Sequence, residues 1–181
     1  MVNTNGAWTQ AEGRDVVSKK VCLVGSFAVG KTSLVRRTID DVYDEGYLTT
    51  VGVKVDRTEV KIGPRTVNLM LWDLAGEDAF AELRLDYIRG ASGLILVADG
   101  TRADTIDSAI ELKRKINRAF GPLPSVLALN KSDLVASWSI SDAHCRILGR
   151  SGAWSVVRTS ARTGEGVPTL LATLARRMVA P

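Results

Sequence analysis

Gly25-Ser26-Phe27-Ala28-Val29-Gly30-Lys31-Thr32 decides the fold of this chain. It matches the pattern G-x-x-x-x-G-K-[ST], in which glycines let the backbone wrap closely around phosphates. Successive N–H groups then form an anion nest, and the following helix adds its positive N-terminal end. Such a loop needs a strand before it and a helix after it. Both are expected: an apolar run at 21–24 and a helix over 32–40. Lys31 is expected to reach the β and γ phosphates, and the Thr32 hydroxyl to ligate magnesium. Ser33 joins Gly25 to Thr32 among the expected nucleotide contacts.

Further along, strand-like and helix-like segments alternate. Strands are expected at 51–62, 66–72, 93–98, 126–129 and 155–157, and helices at 104–120, 139–148 and 167–179. Gly63 and Pro64 mark a hairpin between the second and third strands. The expected fold is therefore a three-layer α/β domain. Its six-stranded sheet is mostly parallel with one antiparallel strand, and about five helices cover it. Residues 1–17 are expected to be a loose tail and 18–181 the nucleotide-binding domain.

Composition sets the frame. The chain has 181 residues, 45% hydrophobic and 24% charged, which suits one soluble domain. Its two cysteines give no disulfide framework, so a cytoplasmic setting is expected. The net charge is +4, and the densest cationic cluster is Lys113, Arg114, Lys115 and Arg118. It reads as the solvated face of the 104–120 helix, and no nucleic-acid partner is expected. Trp138 and Trp154 read as packing residues. His144, the only histidine, lies far from every motif.

Asn130-Lys131-Ser132-Asp133 follows the strand at 126–129. A carboxylate accepts two parallel hydrogen bonds from guanine, from its ring N–H and its exocyclic amine. Adenine lacks that donor pair and would leave the buried carboxylate unpaired. Asn130 is placed to tie its loop to the phosphate loop, and the Lys131 stem to cover the base. Ser160, Ala161 and Arg162, after the last strand, offer backbone N–H groups to the guanine carbonyl. Read alone, that tetrapeptide from Thr159 is equally a turn before the closing helix.

These motifs, with Thr50 and Asp73-Leu74-Ala75-Gly76, resemble the Ras superfamily of small GTPases over residues 18–179. The stretch Tyr47-Leu48-Thr49-Thr50-Val51-Gly52-Val53 and the run Leu71-Trp72-Asp73 look most like the Rab branch; the phosphate loop is also Rho-like. The resemblance implies a switch that binds GTP or GDP with Mg2+ and hydrolyses GTP. It implies that Thr50 closes over metal and γ-phosphate, that Asp73 holds the metal through water, and that the Gly76 N–H contacts the γ-phosphate. Tyr43 would face the guanine and Tyr47 the phosphates. Lys31, Thr50, Gly76 and Glu77 form the expected catalytic set. Effectors, exchange factors and activators would bind the switch segments 41–53 and 74–89 of a monomer.

The sequence departs from the family at three places. Glu77 replaces the usual glutamine that orients the attacking water. A carboxylate accepts from water but donates nothing to phosphoryl oxygens, so slow hydrolysis is expected. Phe27 replaces a small residue and would crowd the γ-phosphate and the path of an arginine finger. Asp78, Arg84 and Arg89 are candidates for a compensating role. Finally, Arg176-Arg177-Met178-Val179-Ala180-Pro181 contains no cysteine and residue 2 is valine, so no direct lipid anchor is expected. The alternative reading is a GTP-binding scaffold with negligible hydrolysis.

Overall fold

Every residue of Gly93–Asp99 and of Ser125–Asn130 is buried, the mark of parallel strands covered on both faces. Alternate side chains enter opposite cores. Ile95, Val97, Val126 and Ala128 lie in one; Leu94, Leu96, Leu127 and Leu129 lie in the other.

The computed structural model describes residues 16–39, 47–48, 53–74, 85–151 and 154–180. In chain order the strands are β1 (Val16–Val24), β2 (Tyr47–Leu48), β3 (Lys54–Ile62), β4 (Arg65–Asp73), β5 (Gly93–Asp99), β6 (Ser125–Asn130) and β7 (Ser155–Arg158). They form one sheet in the order β2-β3-β4-β1-β5-β6-β7. Only β3 runs against the others. It is antiparallel to β2 and β4, whereas the remaining pairings are parallel. The helices α1 (Lys31–Ile39) and α4 (Val167–Val179) cover one face. The helices α2 (Asp104–Phe120) and α3 (Asp142–Ser151) cover the other. Two short 3-10 turns occupy Leu85–Ile88 and Val135–Ser137.

The six expected strands and the α/β layers are all present, and α2 and α4 have the expected bounds. Four differences have physical causes. First, β1 begins at Val16, so Val16 and Val17, assigned to the tail, are strand residues paired with Thr66 and Val67 of β4. Polar Ser18, Lys19 and Lys20 hide that half of the strand. Lys20 lies 3.9 Å over the Trp72 ring and donates to the Arg89 carbonyl. Second, a seventh strand, β2, adds two residues to the sheet edge. It is too short to leave a periodic signal.

Third, α3 starts at Asp142 rather than at 139. The Ser141 hydroxyl accepts from the His144 N–H, which fixes the helix start there. Fourth, Lys113 does not belong to a solvated face. It is only 8% exposed, its ammonium lies 4.6 Å from the Trp154 ring, and burial pulls its pKa below the usual lysine value, with Arg177 adding to the effect. Arg114, Lys115 and Arg118 are exposed as expected.

Trp138 and Trp154 are packing residues. Their indole N–H groups donate to the carbonyls of Ile140 and Leu148. Cys22 is buried and Cys145 sits in α3, both as free thiols. Burial pushes the Cys22 thiol up to about 11, with Lys20 opposing, so it stays protonated. Among the described residues, no helix is long and apolar enough to cross a membrane.

Candidate nucleotide-binding site

Polar side chains are buried at the carboxyl ends of the strands: Asp73 ends β4, Asp99 ends β5, Asn130 ends β6, and Thr159 and Ser160 follow β7. In a parallel sheet this edge is where a ligand crevice forms. The loop Gly25–Gly30 opens there, between the end of β1 and the start of α1.

Sterics demand glycine at both ends of this loop. A Cβ on Gly25 would lie 2.2 Å from the Val97 carbonyl oxygen, and one on Gly30 would lie 2.3 Å from the Asn130 amide nitrogen. Between them, Ala28 adopts a φ of 59°, a left-handed conformation. For a residue with a Cβ that costs roughly 1–2 kcal/mol, so the surroundings must hold it. The Asn130 Nδ2 donates to the Val29 carbonyl at 2.9 Å. The Arg102 Nη2 donates to the Phe27 carbonyl at 3.2 Å. The Phe27 residue itself is 65% exposed.

Lys31 starts α1 and lies inside the loop, 8% exposed, donating to the carbonyls of Gly25 and Ser26 at 2.9 Å each. Burial lowers its pKa, and the Asp73 carboxylate opposes that shift. The Asp73 Oδ1 is buried and has no hydrogen-bond partner among the described residues. A buried, unpartnered carboxylate oxygen beside a phosphate-type loop suits a hard cation. Among the described residues, no cluster of three or more His, Cys, Asp or Glu could hold a metal by protein ligands alone. Magnesium tolerates that, because it keeps waters and takes substrate phosphates as ligands. Thr32 and Ser33 follow Lys31 in the first turn of α1.

The base-side motif is built from two strand ends. Asn130 is 1% exposed and satisfied in three directions. It donates to Val29, and its Oδ1 accepts from the Ala161 N–H at 3.1 Å and from the Thr159 hydroxyl at 3.4 Å. Lys131 adopts a left-handed φ of 68°, which turns the chain out of β6. Its ammonium is 2.7 Å from Asp99 Oδ2. The Asp133 Oδ1 accepts from the Ser160 hydroxyl at 2.7 Å, and Arg162 lies 4.0 Å from its Oδ2. Ser160, Ala161 and Arg162 therefore lie against Asn130 and Asp133.

Sequence reasoning missed Asp99, Thr101 and Arg102. Asp99 is 1% exposed, and its Oδ1 accepts from the N–H and hydroxyl of Thr101. Its Oδ2 accepts from Lys131 and from the Arg102 Nε. Burial alone would raise its pKa. The donors from Lys131 and Thr101 outweigh burial and hold the carboxyl below its usual range. A carboxylate closing an apolar strand, followed by Gly100 and Thr101, was the available signal.

Tyr43, Thr50, Gly76 and Glu77 lie outside the described residues, as do Asp78 and Arg84. Of Tyr47 only the backbone is described, in β2. The described parts of the two switch segments are residues 47–48 and 53, and 74 with 85–89. His144 is exposed on α3, away from the strand ends that carry the site.

Comparison with known proteins agrees with this geometry. The Ras family model matches residues 20–180. The Ras-related protein Rab-1A of Dictyostelium discoideum is 32% identical over 157 residues, covering 86% of this chain and 78% of that protein. The GTP-binding protein ypt1 of Schizosaccharomyces pombe is 31% identical over 160 residues, covering 88% and 79%. The Ras-related protein Rab-1 of Theileria parva is 31% identical over 161 residues, covering 88% and 73%.

Proposed function

This chain belongs to the Ras family and is a GTP-binding GTPase, and on that premise we propose that it is a slowly hydrolysing, magnesium-dependent switch whose nucleotide sits across the loops just described. One observation carries the placement. The Asn130 side chain joins the phosphate loop at Val29 to the base-side loop at Ala161, so both halves of a nucleotide site are fixed to each other. Phosphate oxygens would replace the Gly25 and Ser26 carbonyls as acceptors for Lys31. The backbone N–H groups of 26–30 would supply the remaining donors.

Thr32 and Asp73 would hold magnesium, with Thr50 joining in the GTP state. The ion would offset charge on the β and γ phosphates. Asp133 would accept from the guanine edge, and Lys131, steadied by Asp99, would lie over the base. Tyr43 and Tyr47 would pack on nucleotide. Thr50 and the Gly76 N–H would act as latches that release when the γ-phosphate leaves. Effectors, exchange factors and activators would read segments 41–53 and 74–89 on a cytoplasmic monomer. The free thiols of Cys22 and Cys145 suit that setting.

Two side chains argue for slow turnover. An ionised Glu77 would not donate to the transition state, and Phe27, exposed in the phosphate loop, would obstruct an activator's arginine. Single-turnover hydrolysis of bound GTP tests this, comparing wild type with Glu77→Gln and Phe27→Gly. Wild type should turn over below about 10⁻⁴ s⁻¹, and at least one substitution should accelerate it. A fast wild type that Glu77→Gln slows would make Glu77 a working catalytic residue and overturn the slow-switch reading.

A further inference from the structure

We propose that Arg102 is a positioning residue for the phosphate loop: it clamps the Phe27 carbonyl, keeps Ala28 in its left-handed conformation, and ties that loop through Asp99 to Lys131. The proposal rests on the nucleotide placement above and adds a residue that no motif contains.

The reasoning starts from the planar peptide. In a trans peptide the C=O and the following N–H point in opposite directions. A donor that fixes one carbonyl outward therefore aims the next N–H inward. Asn130 does this for Val29 and so orients the Gly30 N–H. Arg102 does the same for Phe27 and so orients the Ala28 N–H. Ala28, at φ 59°, lies between the two fixed carbonyls. The two clamps come from the ends of different strands, β6 and β5.

Arginine is needed because two different N–H groups work at once. Nε donates to Asp99 Oδ2 at 3.3 Å while Nη2 donates to Phe27 at 3.2 Å. A planar guanidinium holds both directions rigidly, whereas a lysine ammonium offers a single point. Asp99 Oδ2 also accepts from Lys131, so one carboxylate oxygen links the base-side lysine to the phosphate loop. The Arg102 side chain is 44% exposed. Asp99 is buried, but it keeps its bonds from Lys131 and Thr101 when Arg102 is removed, so little global stability should be lost. Its effect should fall on the geometry of the loop.

The test is release of the fluorescent nucleotide mant-GDP, with magnesium in excess, followed by stopped flow. Arg102→Ala should raise the dissociation rate about tenfold, the loss expected for a charge-assisted hydrogen bond. Arg102→Lys should recover little of it. The deciding variant is Arg102→Ala combined with Ala28→Gly. Glycine adopts φ near +60° without a Cβ penalty, so this double variant should release nucleotide within about threefold of wild type. An unchanged rate in Arg102→Ala would overturn the proposal. So would a double variant as fast as Arg102→Ala, because Arg102 would then act by some route other than holding Ala28. A wild type that fails to bind mant-GDP at all would instead refute the nucleotide placement on which the proposal stands.

Discussion

Asp133 is the carboxylate proposed to read guanine. Its Oδ1 accepts from the Ser160 hydroxyl and Arg162 lies 4.0 Å from its Oδ2, an arrangement that leaves lone pairs on both oxygens to a ligand. A guanine edge offers two donors in the matching direction. Asp133→Asn replaces one acceptor by an amine facing the exocyclic amine of guanine. GDP affinity should fall at least about a hundredfold. Xanthosine diphosphate, which carries a carbonyl at that position, should gain affinity. Competition binding measures both, and unaltered discrimination would remove Asp133 from the base site. Asp133, Lys31 and Asn130 were legible in the sequence because each belongs to a short motif with its own chemistry. Arg102 was not. Its partner Phe27 lies 75 residues away, and Asp99-Gly100-Thr101-Arg102 has the composition of an ordinary turn. Lys113 was misread for a related reason: the indole that covers it, Trp154, comes from a distant part of the chain.

At the scale of elements, β5 and β6 were read correctly because burial on both faces forces a continuous apolar run. The start of β1 was hidden by its lysines, and the start of α3 depended on one serine hydroxyl. Element ends follow from local hydrogen bonds such as Ser141 to His144, which hydrophobic patterning does not record. The sheet's stability rests on residues such as Leu127, fully buried on the α2 and α3 face of β6. Leu127→Ala should cost about 2–5 kcal/mol, the transfer loss plus the cavity left behind. Urea denaturation of the nucleotide-loaded protein measures it. A cost below about 1 kcal/mol would mean that the core collapses around the gap.

For the molecule as a whole, the residues of the proposed site come together only when β4, β1, β5, β6 and β7 are aligned edge to edge, so nucleotide should bind the folded chain and not the unfolded one. At about a thousand times the dissociation constant that adds roughly 4 kcal/mol, or about 8–16 °C in Tm for a domain of this size. Stripping nucleotide with a chelator should lower the melting temperature by that order, and GDP with magnesium should restore it, whereas ATP should not. Equal melting temperatures with and without GDP would contradict the linkage. The order of the site's pieces along the chain has a further consequence, for synthesis. Gly25–Gly30 is made early, but its Asn130 clamp, and the Ala161 and Ser160 that complete the base side, come far later. A ribosome must release the chain past Arg162 before a guanine nucleotide can be held at both ends. Until then the loop and its left-handed Ala28 lack both the Asn130 clamp and a nucleotide held at its base end.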